Sequence, residues 1–387
     1  FSMYYFYATL IAFSITFLVM PVLISILKKK NIGDTPGGRK IHKNFIPSMG
    51  GIAIFVACTV ALAIWAWQFP IPDIRFLLGA IAMMFFVGFR DDMVELKAKH
   101  KILGQLVAVV LVVVVSDIRI KDLHGFLGIG ELNEIISYVF SSFVILALTN
   151  GFNLIDGLDG LAGTIAIIVF SCLGVWFSIQ GLESYALLSF TFLGAVIAFL
   201  IFNWHPAKIF MGDTGSLTLG FTMGSLIIAF METNAALPET NFWRFTPVFT
   251  AGITLMILPL YDMARVFTRR ILRGQGPMTP DKSHVHHFLL RMGLKHNQVT
   301  LVLASIQIGF VLILLTMKDL SDHIALPVIS ILALGLGFRL DQVTVKYVKK
   351  KVAKEPRILE IMKLSDVQKK KIKLGKKPFE NAGMNLN

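Results

Sequence analysis

One segment of the chain places an amide and two carboxylates between two long apolar runs. The polar residues are Asn153, Asp156 and Asp159, and the runs 135–148 and 164–177 flank them. Ionisable groups inside a bilayer are costly, so in a membrane protein they mark a pathway or a site by default. The glycines of the segment predict a break between two helices, so we interpret it as a short polar turn that belongs to a site. An ordinary hydrophilic connection is the alternative.

Four other segments carry polar chemistry. They are a basic loop with Lys40 and Lys43, the pair Asp91 and Asp92 followed by Lys97, Lys99 and Lys101, the segment 210–216 around Asp213, and the cluster His284, His286 and His287 with Lys282. A divalent cation such as Mg²⁺ takes oxygen ligands, usually one or two carboxylates plus substrate phosphates. Basic side chains and glycine-rich turns supply further phosphate contacts, and imidazoles can hydrogen-bond a pyrophosphate. The residue types therefore predict a metal-assisted reaction of a phosphorylated substrate.

Each segment also has a simpler interpretation. The Asp91-Asp92 pair fits a solvated helix end, and Asp213 fits an N-cap, a role that is compatible with a catalytic one. The histidine cluster has no cysteine or carboxylate at zinc-finger spacing, which argues against a structural zinc site. We interpret His205, which precedes a proline, as a loop residue.

Composition indicates where these segments lie. The chain has 387 residues, 55% of them hydrophobic, and a mean hydropathy of +0.70, which is typical of an all-α polytopic membrane protein. Eleven apolar runs predict transmembrane helices near 4–27, 49–69, 74–90, 101–116, 135–150, 160–179, 184–203, 215–231, 244–267, 298–317 and 323–340. We expect residues 1–340 to form one membrane-embedded domain and 341–387 to form a basic cytoplasmic tail.

The distribution of charge predicts the orientation. If the spans alternate, only five of the 37 Lys and Arg residues lie on one side, namely Arg75, Arg119, Lys121, Arg244 and Lys318. The positive-inside rule then places the N-terminus outside and the C-terminus in the cytoplasm. The same topology brings all five polar segments to the cytoplasmic face. We therefore expect one site at that surface of the membrane.

The basic tail supplies most of the net charge of +13. It fits either a solvated cytoplasmic end or a segment that adheres to the anionic headgroups of membrane lipids. The lysines have no accompanying aromatic or fold signature, which argues against nucleic acid as a partner.

Taken together, the motifs resemble those of the polyprenyl-phosphate N-acetylhexosamine-1-phosphate transferase superfamily, and within it the bacterial WecA/TagO branch. Asp91-Asp92 resembles the aspartate pair, Asn153-Leu-Ile-Asp156-Gly-Leu-Asp159-Gly the NxxDGxDG motif, Phe210-Met-Gly-Asp213-Thr-Gly the FMGDxG motif, and His284-Val-His286-His287 the HxHH motif. The resemblance covers roughly residues 30–300. It implies a multi-pass protein of the bacterial cytoplasmic (inner) membrane that transfers GlcNAc-1-phosphate from UDP-GlcNAc to undecaprenyl phosphate and releases UMP.

The resemblance also implies roles for single residues. Asp213 and Asn153 would hold Mg²⁺, or Mn²⁺ in its place. Asp91, Asp92 and Asp156 would form the catalytic group, Asp159 would lie near the uracil, and Phe210 would stack on that base. The histidines, with Arg265 or Lys282, would hold the diphosphate and the sugar, and Lys40 and Lys43 would lie near the lipid phosphate.

The role of the aspartate pair can be narrowed by acid–base chemistry. A phosphomonoester has a second pKa of about 6, so near neutral pH the lipid phosphate is already mostly a dianion. A general base has little proton to remove, and phosphoryl transfer depends mainly on positioning and charge neutralisation. We therefore favour an orienting role for Asp91 and Asp92 over covalent catalysis, and a role as base stays open.

Other functions remain open at this point. The same fold with another UDP-N-acetylhexosamine or with UDP-MurNAc-pentapeptide is one alternative, although the HxHH pattern favours UDP-GlcNAc. An ion-coupled transporter also places carboxylates in broken helices, but the polar segments cluster at one face and the two halves show no repeat. A CDP-alcohol phosphotransferase has Ala-Arg soon after its first Asp-Gly, which Asp159-Gly-Leu-Ala-Gly lacks. The surface-glycan pathway stays open, and so does a homodimer, since dimers occur in the superfamily.

Overall fold

The computed structural model describes residues 3–34, 45–65, 68, 74–274, 276 and 284–354, and every structural statement below concerns these residues. Their helices are α1 (Met3–Lys29), α2 (Gly51–Trp65), α3 (Arg75–Met93), α4 (Ala98–Val110), α5 (Glu134–Ile155), α6 (Leu161–Ile179), α7 (Glu183–Asn203), α8 (Gly212–Ala235), α9 (Val248–Leu255), α10 (Ile257–Leu272), α11 (Val285–Arg291), α12 (His296–Thr316) and α13 (Asp322–Lys354). α4 continues as a π-helical turn over Leu111–Val115. Two short strands, β1 (Gly33–Asp34) and β2 (Ile46–Pro47), pair antiparallel.

The predicted all-α membrane fold is confirmed. Eight of the described helices are long and apolar enough to cross a membrane, and the bent pair α9–α10 gives up to nine. The predicted count of eleven stays a prediction: a helix overlaps each of the other two apolar runs, but α2 has only 15 residues and the last turns of α3 contain Arg90, Asp91 and Asp92. The predicted orientation of the termini also remains to be tested.

α8 is the central helix of the bundle. Every residue of its apolar 18-residue window is buried, and it packs against α2, α3 and α5. Glycines allow this close approach, because a Cβ atom on Gly51 would lie 2.2 Å from the nitrogen of Gly215, and one on Gly88 would lie 2.3 Å from the carbonyl oxygen of Asp213. The N-terminus of α8, which carries Asp213, is therefore wedged between the start of α2 and the end of α3.

The run predicted as one span over 244–267 is broken into α9 and α10, which meet at an angle of 79°. A break inside a membrane frees backbone groups that must find other partners. The Gln307 side chain of α12 supplies them: it donates to the carbonyl oxygens of Thr254 (2.9 Å) and Leu255 (3.2 Å) and accepts from the backbone N–H of Leu258 (3.3 Å). The bend is thus a specified part of the fold.

Several helix ends meet on one face of the bundle. α3, α5 and α7 end there, and α4, α8 and α12 begin there, as the contacts described in the next subsection show. α13 runs through residue 340 without interruption, so the division predicted at that position falls inside a helix. The part of the predicted tail beyond residue 354 lies outside the described residues.

Candidate active site

A lysine bridges two of the predicted site carboxylates. The Lys101 ammonium, in the first turn of α4, lies 2.8 Å from Oδ2 of Asp91 and 2.9 Å from Oδ2 of Asp213. The other oxygen of Asp91 accepts a hydrogen bond from the backbone N–H of Leu96 (2.7 Å). The Asp91 and Lys101 side chains are largely buried, whereas the Asp213 side chain keeps 29% of its surface exposed. Of the two bridged carboxylates, Asp213 is therefore the more accessible to a ligand.

Asn153, in the last turn of α5, lies against the same carboxylate. Its amide nitrogen donates to Oδ1 of Asp213 and to the Ser216 hydroxyl (2.7 Å). The assignment of nitrogen and oxygen in an asparagine amide follows from its hydrogen-bond network. As a metal ligand, Asn153 would have to present its oxygen instead, which a flip of the amide accomplishes.

Asp92 holds the beginning of α8. Its Oδ1 accepts from the backbone N–H of Asp213 (2.9 Å), and its Oδ2 accepts from the N–H (2.8 Å) and the hydroxyl (2.5 Å) of Thr214. Two of the N–H groups that a helix leaves without intrahelical partners are thereby satisfied. Gly212 adopts φ +73°, and a Cβ atom there would lie 2.5 Å from Oδ2 of Asp92. Asp92 thus fixes the position of the neighbouring Asp213.

The turn between α5 and α6 carries Asp156 and Asp159 in different electrostatic environments. Burial raises the pKa of Asp156 well above its usual value, and the negative charges of Asp213, Asp92 and Asp159 raise it further. Burial also acts to raise the pKa of Asp159, but hydrogen bonds from His296 and His205 outweigh it and lower that pKa to about 2. The turn therefore has one carboxyl that resists ionisation and one that stays ionised.

Two histidines from distant segments hold Asp159. Its Oδ2 lies 2.7 Å from Nδ1 of His205 and 3.6 Å from Nδ1 of His296, and the two imidazoles stack with their centroids 4.6 Å apart. The backbone carbonyl of Asp159 accepts from the Thr300 hydroxyl (2.9 Å). The three ligand atoms lie within 4.8 Å of one another, a donor set that transition metals also use. Because 2.7 Å is a hydrogen-bond distance, we assign His205 to holding the carboxylate, and His296 supports it by stacking on His205 and by its charge interaction with Asp159.

The predicted histidine cluster reaches the same turn. A Cβ atom on Gly157 would lie 3.2 Å from Cε1 of His286, so this imidazole packs directly on the turn. Asp262 of α10 fixes the cluster, since its Oδ2 lies 2.7 Å from Nδ1 of His284 and its Oδ1 accepts from the backbone N–H of Val285 (2.7 Å). Burial, together with the neighbouring His287, lowers the pKa of His286 to about 3, so His286 is uncharged near neutral pH. The half-exposed His287 is the cluster member most open to a ligand.

The structure places Arg265 in a network between helices. Its guanidinium pairs with Asp341 of α13, as does that of Arg269, and it lies over the Phe288 ring with the centroid 4.2 Å away. Only 8% of Arg265 is exposed. The predicted role of Arg265 at the diphosphate therefore requires the side chain to leave Asp341 or to act from beneath the histidine cluster.

Of four other residues that the sequence predicts for the site, the structure describes only Phe210. Lys40, Lys43 and Lys282 lie outside the described residues. Phe210 is half-buried, and its backbone is fixed, since its N–H donates to the Pro47 carbonyl (2.8 Å) and its carbonyl accepts from the Gly50 N–H (2.9 Å). Stacking of Phe210 on a base stays a prediction.

Four residues of the site carried little signal in the sequence. In the sequence, Lys101 is one of several lysines after the aspartate pair, His205 fits a loop residue, and no motif includes His296 or Asp262. His205 lies three residues before Lys208 in a short loop, and His296 opens an apolar run, so each is unusual only in its position at a helix end. His205 lies 46 residues from its partner Asp159, and Asp262 lies 22 residues from its partner His284. A single sequence does not reveal pairs that are so far apart.

The chemistry of the cluster fits a hard divalent cation. Asp91 and Asp213 supply carboxylate oxygens and Asn153 an amide oxygen, which are the donor types that Mg²⁺ prefers. The Lys101 ammonium already lies between the two carboxylates, which indicates that their arrangement suits a positive charge. Asp156 adds a further carboxyl, which lies close enough to Asp213 for the charge of Asp213 to raise its pKa.

Comparison with known proteins identifies the class. A family profile described as glycosyl transferase family 4 matches residues 74–231, which include the aspartate pair, the α5–α6 turn and the start of α8. The probable undecaprenyl-phosphate N-acetylglucosaminyl 1-phosphate transferase of Bacillus subtilis is 32% identical over 330 residues, which cover 83% of this chain and 88% of that protein.

Two further relatives agree with this. The undecaprenyl-phosphate alpha-N-acetylglucosaminyl 1-phosphate transferase of Yersinia pestis is 30% identical over 74% of this chain and 76% of its own. The protein of the same name in Escherichia coli K12 is 27% identical over 70% of this chain and 73% of its own length. The membrane fold, the acidic site and these similarities define a polytopic phosphoglycosyltransferase. More narrowly, the chain belongs to the polyprenyl-phosphate N-acetylhexosamine-1-phosphate transferase superfamily, in its WecA-like branch.

Proposed function

We propose that the protein transfers GlcNAc-1-phosphate from UDP-GlcNAc to undecaprenyl phosphate, giving undecaprenyl-pyrophosphate-GlcNAc and UMP. The reaction would depend on Mg²⁺, with Mn²⁺ as a substitute, and would be the first membrane step of a surface-glycan pathway at the bacterial cytoplasmic membrane. The observation that carries the proposal is the bridge of Lys101 between Asp91 and Asp213, with Asn153 beside it, at the meeting point of four helix ends.

The reaction exchanges one phosphoanhydride bond for another. An oxygen of the lipid phosphate attacks the phosphorus that carries the sugar, a new P–O bond forms, and the bond to the UMP oxygen breaks with its electrons leaving on UMP. The attacking phosphate is mostly dianionic near neutral pH, so no proton has to be removed. The residues therefore have to align two anions and offset their repulsion.

Divalent metal supplies charge neutralisation for the diphosphate and the leaving group. Asp213 and Asn153 are the residues that would hold it. Asp92 keeps Asp213 in place through the first N–H groups of α8. Asp156, whose carboxyl resists ionisation while the other carboxylates are charged, would ionise or donate a hydrogen bond as the local charge changes.

The nucleotide and sugar would bind on the other side of the α5–α6 turn. Asp159 is ionised and held by His205 and His296, so it offers a fixed acceptor for a donor group such as the uracil N–H. His286 packs on the turn and His287 lies beside it, with the two ring centroids 4.3 Å apart, so these imidazoles would contact the diphosphate. Phe210 precedes the start of α8 and would stack on the base.

The decisive experiment measures UMP release by the purified protein in detergent. Undecaprenyl phosphate and Mg²⁺ are supplied, and UDP-GlcNAc and UDP-MurNAc-pentapeptide are offered in parallel. Of the two nucleotides, we expect only UDP-GlcNAc to give UMP release. We expect EDTA or the substitution Asp213→Ala to abolish that release. Glu239→Ala is the matched control, because this carboxylate is 93% exposed in the α8–α9 loop, away from the site.

The alternatives give different results in the same assay. Release with only the pentapeptide substrate would assign the protein to the other branch of the superfamily. Release with a different UDP-N-acetylhexosamine would keep the reaction and change the sugar. If no nucleotide reacted, the proposed reaction would be wrong.

A further inference from the structure

We propose that Lys101 is an exchangeable counter-cation: its ammonium competes with the divalent cation for Asp213 and, once displaced, is kept by Asp91 beside the phosphate of the acceptor. The inference deepens the proposed function and rests on it for the identity of the acceptor. The competition itself depends only on the geometry of the described residues.

The first step is that every oxygen of the two carboxylates is occupied. Oδ2 of Asp91 and Oδ2 of Asp213 both contact the Lys101 ammonium, at 2.8 and 2.9 Å. Oδ1 of Asp91 accepts from the Leu96 N–H, and Oδ1 of Asp213 accepts from the Asn153 amide. A cation that reaches Asp213 must therefore displace a donor that is already there.

The second step is that Lys101 is the donor that must move. An Asn153 flip changes a donor into an acceptor in place, but an ammonium has only donors and carries a positive charge. A divalent cation bound to Asp213 and an ammonium on the same carboxylate repel each other strongly in a partly dehydrated site. Exchange removes that repulsion, whereas simultaneous binding keeps it.

The third step is that a second carboxylate, Asp91, can bind the ammonium once Asp213 has released it. Asp91 is more buried than Asp213 and is anchored by the Leu96 N–H, so it holds the lysine after Asp213 releases it. One turn further along α4, Gln105 and Asn150 of α5 exchange hydrogen bonds of 2.8 and 3.3 Å. This polar pair, inside the membrane-spanning part, fixes α4 against α5, so the side chain can move while the helix does not.

The fourth step is the consequence for the substrate. The Lys101 ammonium contacts Asp91 near the end of α3, and 18% of the Lys101 side chain is exposed. An ammonium kept by Asp91 and released from Asp213 has free donors for an anionic oxygen. Lys101 thus positions the acceptor phosphate only when Asp213 is occupied by the metal, which couples the two binding events.

The test measures binding of Mn²⁺ to the full-length protein in detergent, without substrates, by the loss of the free Mn²⁺ EPR signal. Lys101→Gln removes the competing charge, so we expect the Mn²⁺ dissociation constant to fall by about 5- to 100-fold. Lys101→Arg replaces a point charge by a planar fork that pairs with both carboxylates, so we expect weaker Mn²⁺ binding than in the wild type. Lys99→Gln is the matched control, since Lys99 lies on the exposed side of the same turn, and should leave Mn²⁺ binding unchanged.

The opposite directions separate exchange from a structural role. Damage to the site would weaken Mn²⁺ binding in both Lys101 variants, and that result, with melting temperatures near the wild-type value, would overturn the proposal. We also expect Lys101→Gln to raise the KM for undecaprenyl phosphate at least tenfold in the UMP assay. If the wild type released no UMP while the Mn²⁺ affinities shifted as expected, the proposed function would fail and the exchange would stand.

Discussion

Two aspartates of one short turn have opposite ionisation behaviour, although both belong to the same motif. Burial and three neighbouring carboxylates raise the pKa of Asp156, whereas hydrogen bonds from two histidines overcome burial and lower that of Asp159 to about 2. The sequence spacing gives no sign of this difference. It arises because Asp159 receives partners from the α7–α8 loop and from α12, while Asp156 faces the other acids.

The difference predicts opposite effects on stability. An unfolded chain ionises both groups near pH 4, so the raised pKa of Asp156 costs stability above that pH, and the lowered pKa of Asp159 adds stability that is lost only as pH falls towards about 2. At about pH 8 in EDTA, Asp156→Asn should raise the melting temperature in detergent. Asp159→Asn should lower it, by the equivalent of about 2 kcal/mol. At about pH 4 the gain from Asp156→Asn should disappear. Equal losses in both variants at pH 8 would contradict the assigned environments.

The role of Asp92 can be tested by the pH dependence of a variant. Both of its oxygens accept hydrogen bonds from the start of α8, so Asp92→Asn loses an acceptor for Asp213 or Thr214. We expect UMP release to fall about 10- to 100-fold at every pH from 6 to 9, because the defect is one of position. Thr214→Val, which removes only the hydroxyl contact, should have a smaller effect. Activity of Asp92→Asn that recovers steadily towards pH 9 would indicate a titrating base instead.

The limits of the sequence are clearest at the scale of single residues. Asp91, Asp213 and Asn153 could be found because polar groups next to apolar runs are unusual. Arg265 was equally conspicuous, but its partner Asp341 lies 76 residues away, and nothing local distinguishes a substrate arginine from one that joins two helices. Which side chains pair over long distances in the sequence depends on how the helices pack. A single sequence does not show this packing.

At the scale of elements, the site depends on how closely α3 and α8 approach. The two helices touch through Gly88, whose missing side chain leaves room for the backbone of Asp213. Sequence hydropathy predicted both helices, because apolar length is a strong signal. It did not predict their contact or the bend between α9 and α10, since these follow from a glycine and from the Gln307 side chain of another helix.

A pair of glycine substitutions in one helix tests this contact. A Cβ atom on Gly88 would lie 2.3 Å from the Asp213 carbonyl oxygen, so Gly88→Ala must move α3 away from α8 and with it Asp91 and Asp92. We expect UMP release to fall at least tenfold and the melting temperature to drop. Gly79→Ala is the control in the same helix, because its Cβ atom would meet only Leu111 at 3.7 Å. It should retain activity and gain up to about 1 kcal/mol from helix propensity. Similar behaviour of the two variants would argue against the close contact.

At the scale of the whole molecule, the charge distribution and the contacts in the structure are independent evidence for the location of the site. The distribution of lysine and arginine predicted that five polar segments share one side of the membrane. The contacts of Asp91, Asn153, Asp213 and the α5–α6 turn bring four of these segments together at one face of the helical bundle, and the basic loop with Lys40 and Lys43 lies outside the described residues. Which face of the membrane this is depends on the positive-inside rule alone, because hydrogen bonds carry no information about orientation.

The orientation can be measured by labelling single cysteines in intact cells. In a background with Cys58 and Cys172 replaced by alanine, Glu239→Cys reports on the α8–α9 loop and Lys97→Cys on the exposed segment before α4. If the site faces the cytoplasm, a membrane-impermeant maleimide labels Glu239→Cys in intact cells and Lys97→Cys only after permeabilisation. Retained UMP release shows that each variant is folded. The reverse pattern would place the acidic site outside the cell, where cytosolic UDP-GlcNAc could not reach it, and would contradict both the orientation and the proposed reaction.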